Sequence, residues 1–199
     1  MVPKAVGSSP IARPKFLFMT FLIIHGIGGH AGIHWQQWLK QQLELQGHKV
    51  LMPDMPNSDH PDRQEWLDTV IAVTKKQSIN ELVLVGHSLG VTTVLDFIEW
   101  SNAPVAGLVS VSGFASDYCA DLNSYFLQEK TIDFDKVLRD ISKAVVIYSD
   151  NDPYVTQDAL KEVADKLKVS PIIVNSGGHL NSDAGLNEFP LLLKLLINF

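Results

Sequence analysis

The sequence predicts an α/β fold: a doubly wound, mostly parallel sheet with helices on both faces. Three observations predict it. Apolar runs of strand length alternate with helix-period segments along the chain. Most of those runs are continuous in valine, isoleucine and leucine, as strands covered on both faces must be. No repeat, linker or low-complexity tract divides the 199 residues, a length suited to one domain with a substantial core.

In chain order, the first stretch "MVPKAVGSSPIARPK" has three prolines and no amphipathic period, so it is expected to be loop or disordered. Its "GSSP" is what GGT TCG AGT CCC encodes, a transfer-RNA T-arm read as protein. The expectation is therefore a disordered or non-native extension over 1–18 and a domain over 19–199, with translation starting at Met19. The run "FLFMTFLII" is far shorter than the roughly 20 residues of a membrane span. A glycine loop follows where a signal-peptide cleavage site would stand, so the run reads as a buried strand.

Strands are expected at 21–26, 48–53, 81–87, 105–113, 143–150 and 170–177. Helices are expected between them. "HWQQWLKQQLELQG" carries Trp35, Trp38 and Leu39 and ends at Gly47, a C-terminal stop. "RQEWLDTVIAVTKK" stacks Leu67, Val70 and Ile71. "TQDALKEVADKLK" places Leu160, Val163, Ala164 and Leu167 on one face. "FPLLLKLLINF" reads as a closing helix. Residues 113–142 are less regular and are expected to form the variable excursion.

Charge and composition exclude some classes. The net charge is −6 with no dense Lys/Arg cluster, which argues against nucleic acid or an anionic membrane as partner. The one cysteine, Cys119, allows no intrachain disulfide and fits a reducing, cytoplasmic setting. With no motif around it, Cys119 reads as a buried small apolar residue.

The chemistry concentrates at "ELVLVGHSLGVTTVLDFIEW". Ser88 sits where a strand ends and a helix begins, between Gly86 and Gly90. A nucleophile elbow needs this context. The residues two before and two after the serine approach each other and the neighbouring strand, so only glycine fits there. The turn lifts the hydroxyl to the carboxyl edge of the sheet, and the following helix directs its N-terminus to the same place.

A serine hydroxyl is a weak nucleophile and needs a base. On an α/β-hydrolase scaffold the order is Ser, acid, His. Of seven histidines only His179 follows Ser88, on a loop past the last strand. An imidazole at its reference pKa of about 6.5 is largely neutral at pH 7, as a base must be. Asp150 and Asp152 both qualify as the orienting acid. Asp152 is chosen because "DPYV" forms the D-x-x-V turn that aims a carboxylate back at the histidine. Asp150 is then expected to bond its own backbone.

An oxyanion hole needs two backbone N–H groups. Leu89 supplies one in this reading. The loop "HGIGGH" supplies the other, from Ile27, with Gly26 next. His25 is expected to brace that loop. His25, His30 and His34 do not complete a zinc pattern, and no metal or other cofactor is expected. "MPDMPNSDHPD" lacks EF-hand spacing and reads as a solvated loop near the site.

At this point the sequence resembles the YdeN-like family of small serine hydrolases, which includes the retinoblastoma-binding protein nine hydrolases. "LIIHGIGGHAGIHWQQWL", "MPDMPN", "EWLDTV", "VGHSLG", "VSGFA", "SDNDPYV" and "GGH" carry the resemblance, in that order, from about residue 20 to the C-terminus. The resemblance implies a compact α/β hydrolase without a cap domain. It also implies a triad of Ser88, His179 and Asp152, and no cofactor. The expected function is a carboxylesterase for small or short-acyl esters, with thioester or amide cleavage open to the same machinery. The expected partner is a small-molecule ester. A protein-binding module on the same fold is the rival, and no sequence feature indicates a protein partner. Lack of room for a cap suggests an open, shallow site, with Phe114, Tyr118, Tyr125 and Phe126 as candidate walls that core packing explains at least as well.

Overall fold

The computed structural model describes residues 18–199. The expectation for the N-terminal extension therefore falls almost wholly outside the described residues. Six strands form one all-parallel sheet: β1 (Thr20–Ile24), β2 (Lys49–Leu51), β3 (Leu82–His87), β4 (Gly107–Val111), β5 (Ala144–Ser149) and β6 (Ile172–Val174). Their order is β2-β1-β3-β4-β5-β6. The chain runs outward from β1 to β2, then crosses back to β3. This reversal opens a crevice between the carboxyl ends of β1 and β3, where ligands bind in open α/β sheets.

All six strands expected from sequence are present and shorter than their apolar runs, the edge strands β2 and β6 most of all, at three residues each. The continuous runs have the predicted cause. In β1 and β3, Leu22, Ile24, Leu82 and Leu84 face one apolar cluster. Phe21, Ile23, Val83 and Val85 face the other. A strand buried on both faces has no polar position to spare.

Helices close both faces: α1 (Gln36–Leu45), α2 (Arg63–Thr74), α3 (Leu89–Ser101), α4 (Ser124–Gln128), α5 (Phe134–Arg139), α6 (Gln157–Lys166) and α7 (Pro190–Leu196). Leu39 and Leu43 of α1 and Leu192 and Leu196 of α7 cover one face. The other helices cover the opposite face. Among the described residues, no helix is long and apolar enough to cross a membrane.

Helix ends follow local chemistry. Gly47 has φ 86° and stops α1, with the His48 amide donating to the Leu43 carbonyl at 3.1 Å. The Asp62 carboxylate accepts from the Glu65 amide and caps α2. On α6, Leu160, Val163, Ala164 and Leu167 are buried as the spacing requires.

Helix α2 departs from expectation. Arg63, Trp66, Val70 and Thr74 are its buried residues, and Leu67 and Ile71 only flank the core. The buried face carries an ion pair as well as apolar groups. Arg63 forms a two-pronged pair with Asp96 of α3, at 2.7 and 3.1 Å. The two side chains are 5% and 2% exposed. The Arg63 guanidinium also donates to the Phe126, Leu127 and Lys130 carbonyls. It therefore ties the excursion to α2 and α3. Asp96→Asn leaves the buried guanidinium without its counter-charge and is expected to cost about 3–5 kcal/mol. Urea unfolding measures it, and the double change Arg63→Met with Asp96→Leu is expected to cost less.

The excursion at 113–142 contains α4 and α5. Cys119 lies there and is exposed, not buried as expected. It occupies the tip of a turn with φ 62°, its amide held by Asp117. Asp117 also accepts from Ser124 and Gln128, which fixes the turn with residue 119 outward.

Candidate active site

The elbow arises from local sterics. Ser88 has φ 55° and ψ −126°, a conformation that costs a non-glycine residue about 1–3 kcal/mol. A Cβ on Gly86 would lie 2.6 Å from the Val91 Cα and 2.8 Å from the Gly90 carbonyl carbon. A Cβ on Gly90 would lie 2.6 Å from the backbone oxygens of Ile24 and His25. Both positions therefore admit only glycine. Gly26 is constrained in the same way, since its Cβ would meet the Ser88 Cβ at 2.8 Å.

The loop after β1 lies directly against this elbow. Burial holds the His25 imidazole below its usual pKa, so it stays neutral. It accepts from the Met55 amide at 3.0 Å and donates to the Gly26 carbonyl at 2.8 Å. His25 thus braces the glycine loop. The acidic loop at 52–62 helps: the Ser58 carbonyl accepts from the Gly28 amide, and Asp54 accepts from the Ala31 amide. The Ile27 and Leu89 amides donate to no protein acceptor among the described residues. They are the two amides that the sequence nominates for an oxyanion.

His179 lies on a loop with positive φ at Ser176, Gly178 and Leu180. Such a chain of left-handed residues persists only when the surroundings over-determine it. Four consecutive residues at the end of β5 grip it. Ser149 Oγ accepts from the Gly177 amide at 2.8 Å, and the Asp150 carboxylate from the Ser176 amide at 2.7 Å. The Asn151 side chain accepts from the Gly178 amide at 2.8 Å. Asp152 Oδ2 accepts from the His179 ring at Nδ1, also at 2.8 Å. Asp150 therefore does not bond its own backbone, contrary to the expectation from sequence. It reaches across to the histidine loop, a partner 26 positions away.

The Asp152 side chain is fully buried. Its Oδ1 accepts from the Tyr154 and Val155 amides at 2.9 and 3.1 Å. One carboxylate oxygen is thus fixed by its own turn, and the other is left to the histidine. Ser88 and His179 both line one cleft, with Ile27 and Gly26. Ser88 Oγ itself has no hydrogen-bond partner among the described residues. Such contacts are often loose before substrate arrives.

The cleft has a volume of about 500 Å³, which is of small-molecule size. The excursion supplies the wall. Of the four aromatic candidates only Tyr118 lines it. Phe114 and Phe126 are buried in the core, and Tyr125 packs edge-on to His60. His25, His30 and His34 belong to no cluster of three or more His, Cys, Asp or Glu side chains that could hold a metal ion among the described residues. His34 instead accepts from the Ser182 amide, and His30 faces its neighbour's carbonyl.

Two residues with structural work at the site were missed. His87, inside the elbow motif, donates from Nε2 to the His179 carbonyl at 3.0 Å. Trp35 donates to the next carbonyl, Leu180, at 2.8 Å. Their rings pack edge to face, with centroids 5.8 Å apart. The available signal was chemical: a histidine and a tryptophan inside apolar surroundings need partners for their ring N–H groups.

Burial, then the neighbouring His179, holds His87 well below the usual histidine pKa. The sign follows. Below about pH 6.5 the unfolded chain binds a proton that folded His87 refuses. Its contribution is whole above that pH and is lost as pH falls, by up to about 1.4 kcal/mol per pH unit. Thermal unfolding across pH 7.5 to pH 5.5 is expected to show this loss. His87→Gln, which keeps a donor for the His179 carbonyl, is expected to flatten it. His25, His34 and His48 are also lowered by burial and contribute in the same direction.

Comparison with known proteins identifies the family. A family model described as serine hydrolase matches residues 21–198. YdeN of Bacillus subtilis (strain 168) is 28% identical over 179 residues, 89% of this chain and 94% of that protein. The serine hydrolase RBBP9 of Rattus norvegicus is 24% identical over 174 residues, 85% of this chain and 88% of that protein. The crystal structure of the B. subtilis ydeN gene product superposes with a TM-score of 0.84 at 30% identity, covering 90% of this chain and 97% of that one. With the fold, the strained serine corner and a family match over nearly its whole length, this chain belongs to the serine hydrolase family.

Proposed function

We propose that the protein is a carboxylesterase for small or short-acyl esters, working through a Ser88–His179–Asp152 triad and an acyl-enzyme. One observation carries this reading. A fully buried carboxylate, with one oxygen already committed, holds the His179 ring at 2.8 Å in the cleft that Ser88 lines. A histidine that donates from Nδ1 carries its lone pair on Nε2, which is the tautomer a general base needs.

In this mechanism Ser88 Oγ attacks the ester carbonyl carbon while His179 Nε2 takes its proton. Asp152 steadies the imidazolium without taking the proton itself. The Ile27 and Leu89 amides donate to the tetrahedral oxyanion. The C–O bond breaks, and His179 gives its proton to the leaving alcohol. Water then attacks the acyl-serine by the same route and releases the acid. The chain supplies nucleophile, base and oxyanion donors, so the reaction requires no cofactor. Thioesters and amides differ only in the leaving group.

Intact mass after a fluorophosphonate probe tests the proposal. One adduct on wild type, mapped to Ser88, is the expected result. Folded protein without an adduct would sink the esterase reading and leave a binding role on the hydrolase fold.

A further inference from the structure

The cleft beside Ser88 is unbalanced in charge. Its lining includes Asp121 and Asp183 but no lysine or arginine. Both carboxylates are exposed. Asp121 comes from the excursion that walls the cleft, and Asp183 from the short turn after His179. A third carboxylate, Asp59, lies by the glycine loop, with an oxygen 3.8 Å from where a Gly28 Cβ would stand. The lysines and arginines that form ion pairs do so elsewhere: Arg63 and Lys130 with Asp96, Lys40 with Glu44, Lys136 with Glu99 and Asp133, Arg139 with Asp140, Lys161 with Asp165. His34 also lines the cleft, but burial keeps it neutral, so it offsets nothing. The net charge of −6 acts in the same direction.

Apolar side chains also line it, beside the neutral polar groups of Asn123 and Asn181. Leu122 is 61% exposed and Tyr154 is 60% exposed, and both border this cleft. Large apolar side chains left open at a pocket mouth offer contact to an apolar ligand arm.

We propose that this site takes uncharged or cationic esters with an apolar arm and rejects anionic ones, acyl thioesters of phosphorylated carriers included. The inference rests on the esterase reading and narrows it. A cleft lined by one sign of charge between low-dielectric walls concentrates the opposite ion and repels its own. Here the repelled class is the anion. The same walls hold an apolar arm, whatever its leaving group.

The test uses three butyrate esters: of choline, of its uncharged carbon isostere, and of a hydroxy acid of matched length. The choline ester is expected to exceed the anionic ester in kcat/KM by about tenfold or more at low ionic strength. The ratio should shrink in concentrated salt, because rim carboxylates are screened. It should also shrink in the Asp121→Asn, Asp183→Asn double variant. An anionic ester turned over as well as the cationic one at low salt would overturn the proposal. So would a ratio unmoved by both salt and the double variant. Fluorophosphonate labelling separates the two failures. A protein that labels but does not discriminate loses only this inference, and one that neither labels nor turns over any ester loses the esterase reading and this with it.

Discussion

Ser88→Ala is expected to abolish fluorophosphonate labelling and lower ester turnover by about 10⁴-fold or more, since triad members act as a unit. Intact mass and steady-state hydrolysis measure it. Ser88→Gly separates chemistry from folding. Ser88 sits at φ 55°, where a side chain is strained and glycine is not. Relief of about 1–3 kcal/mol exceeds the roughly 0.5–1 kcal/mol entropic cost of glycine. Ser88→Gly should therefore be inactive and unfold at a higher temperature than wild type. Ser88→Ala keeps the strain and should not gain. An inactive glycine variant that is also less stable would show that the elbow is not a strained device.

Asp152→Asn is the second large effect. Asp152 Oδ1 accepts two backbone amides, from Tyr154 and Val155. An asparagine keeps its carbonyl oxygen there, because the amide nitrogen cannot accept. Its NH₂ then faces His179 Nδ1, where the carboxylate oxygen stood at 2.8 Å. A donor at that place forces the proton of His179 onto Nε2. The lone pair that should take the Ser88 proton is lost, although the geometry is kept. Turnover at pH 7 is expected to fall by about 10⁴-fold, with labelling slowed in parallel and the unfolding temperature little changed. A variant that retains wild-type turnover would exclude Asp152 as the orienting acid. Asp150 does not offer a substitute, since its carboxylate is engaged with the Ser176 amide.

Much of the site was legible in the sequence because its constraints are local. Gly86 and Gly90 are dictated by contacts inside one tight turn and with the strand beside it. His179 stands out as the one histidine after Ser88, and Asp152 by the turn whose amides fix its Oδ1. The strands were legible because burial on both faces leaves an unbroken apolar run.

What only the tertiary structure decided depends on partners far apart along the chain. Arg63 sits in a helix whose apolar spacing nominated other residues, and its partner Asp96 is 33 positions away. His87 reads as an ordinary letter of the elbow motif until the fold brings the His179 carbonyl, 92 positions on, to its ring. Asp150 was assigned to its own turn because a sequence displays near acceptors and hides distant ones. Cys119 was assigned to the core by its residue type, but the Asp117 hydrogen bonds turn its loop outward. The sequence by itself determined the sheet, the elbow and the order of the candidate triad, because steric exclusion and apolar periodicity act between neighbours. The tertiary structure decided which polar groups are buried and what satisfies them, because a buried donor must find its acceptor wherever the folded chain places one.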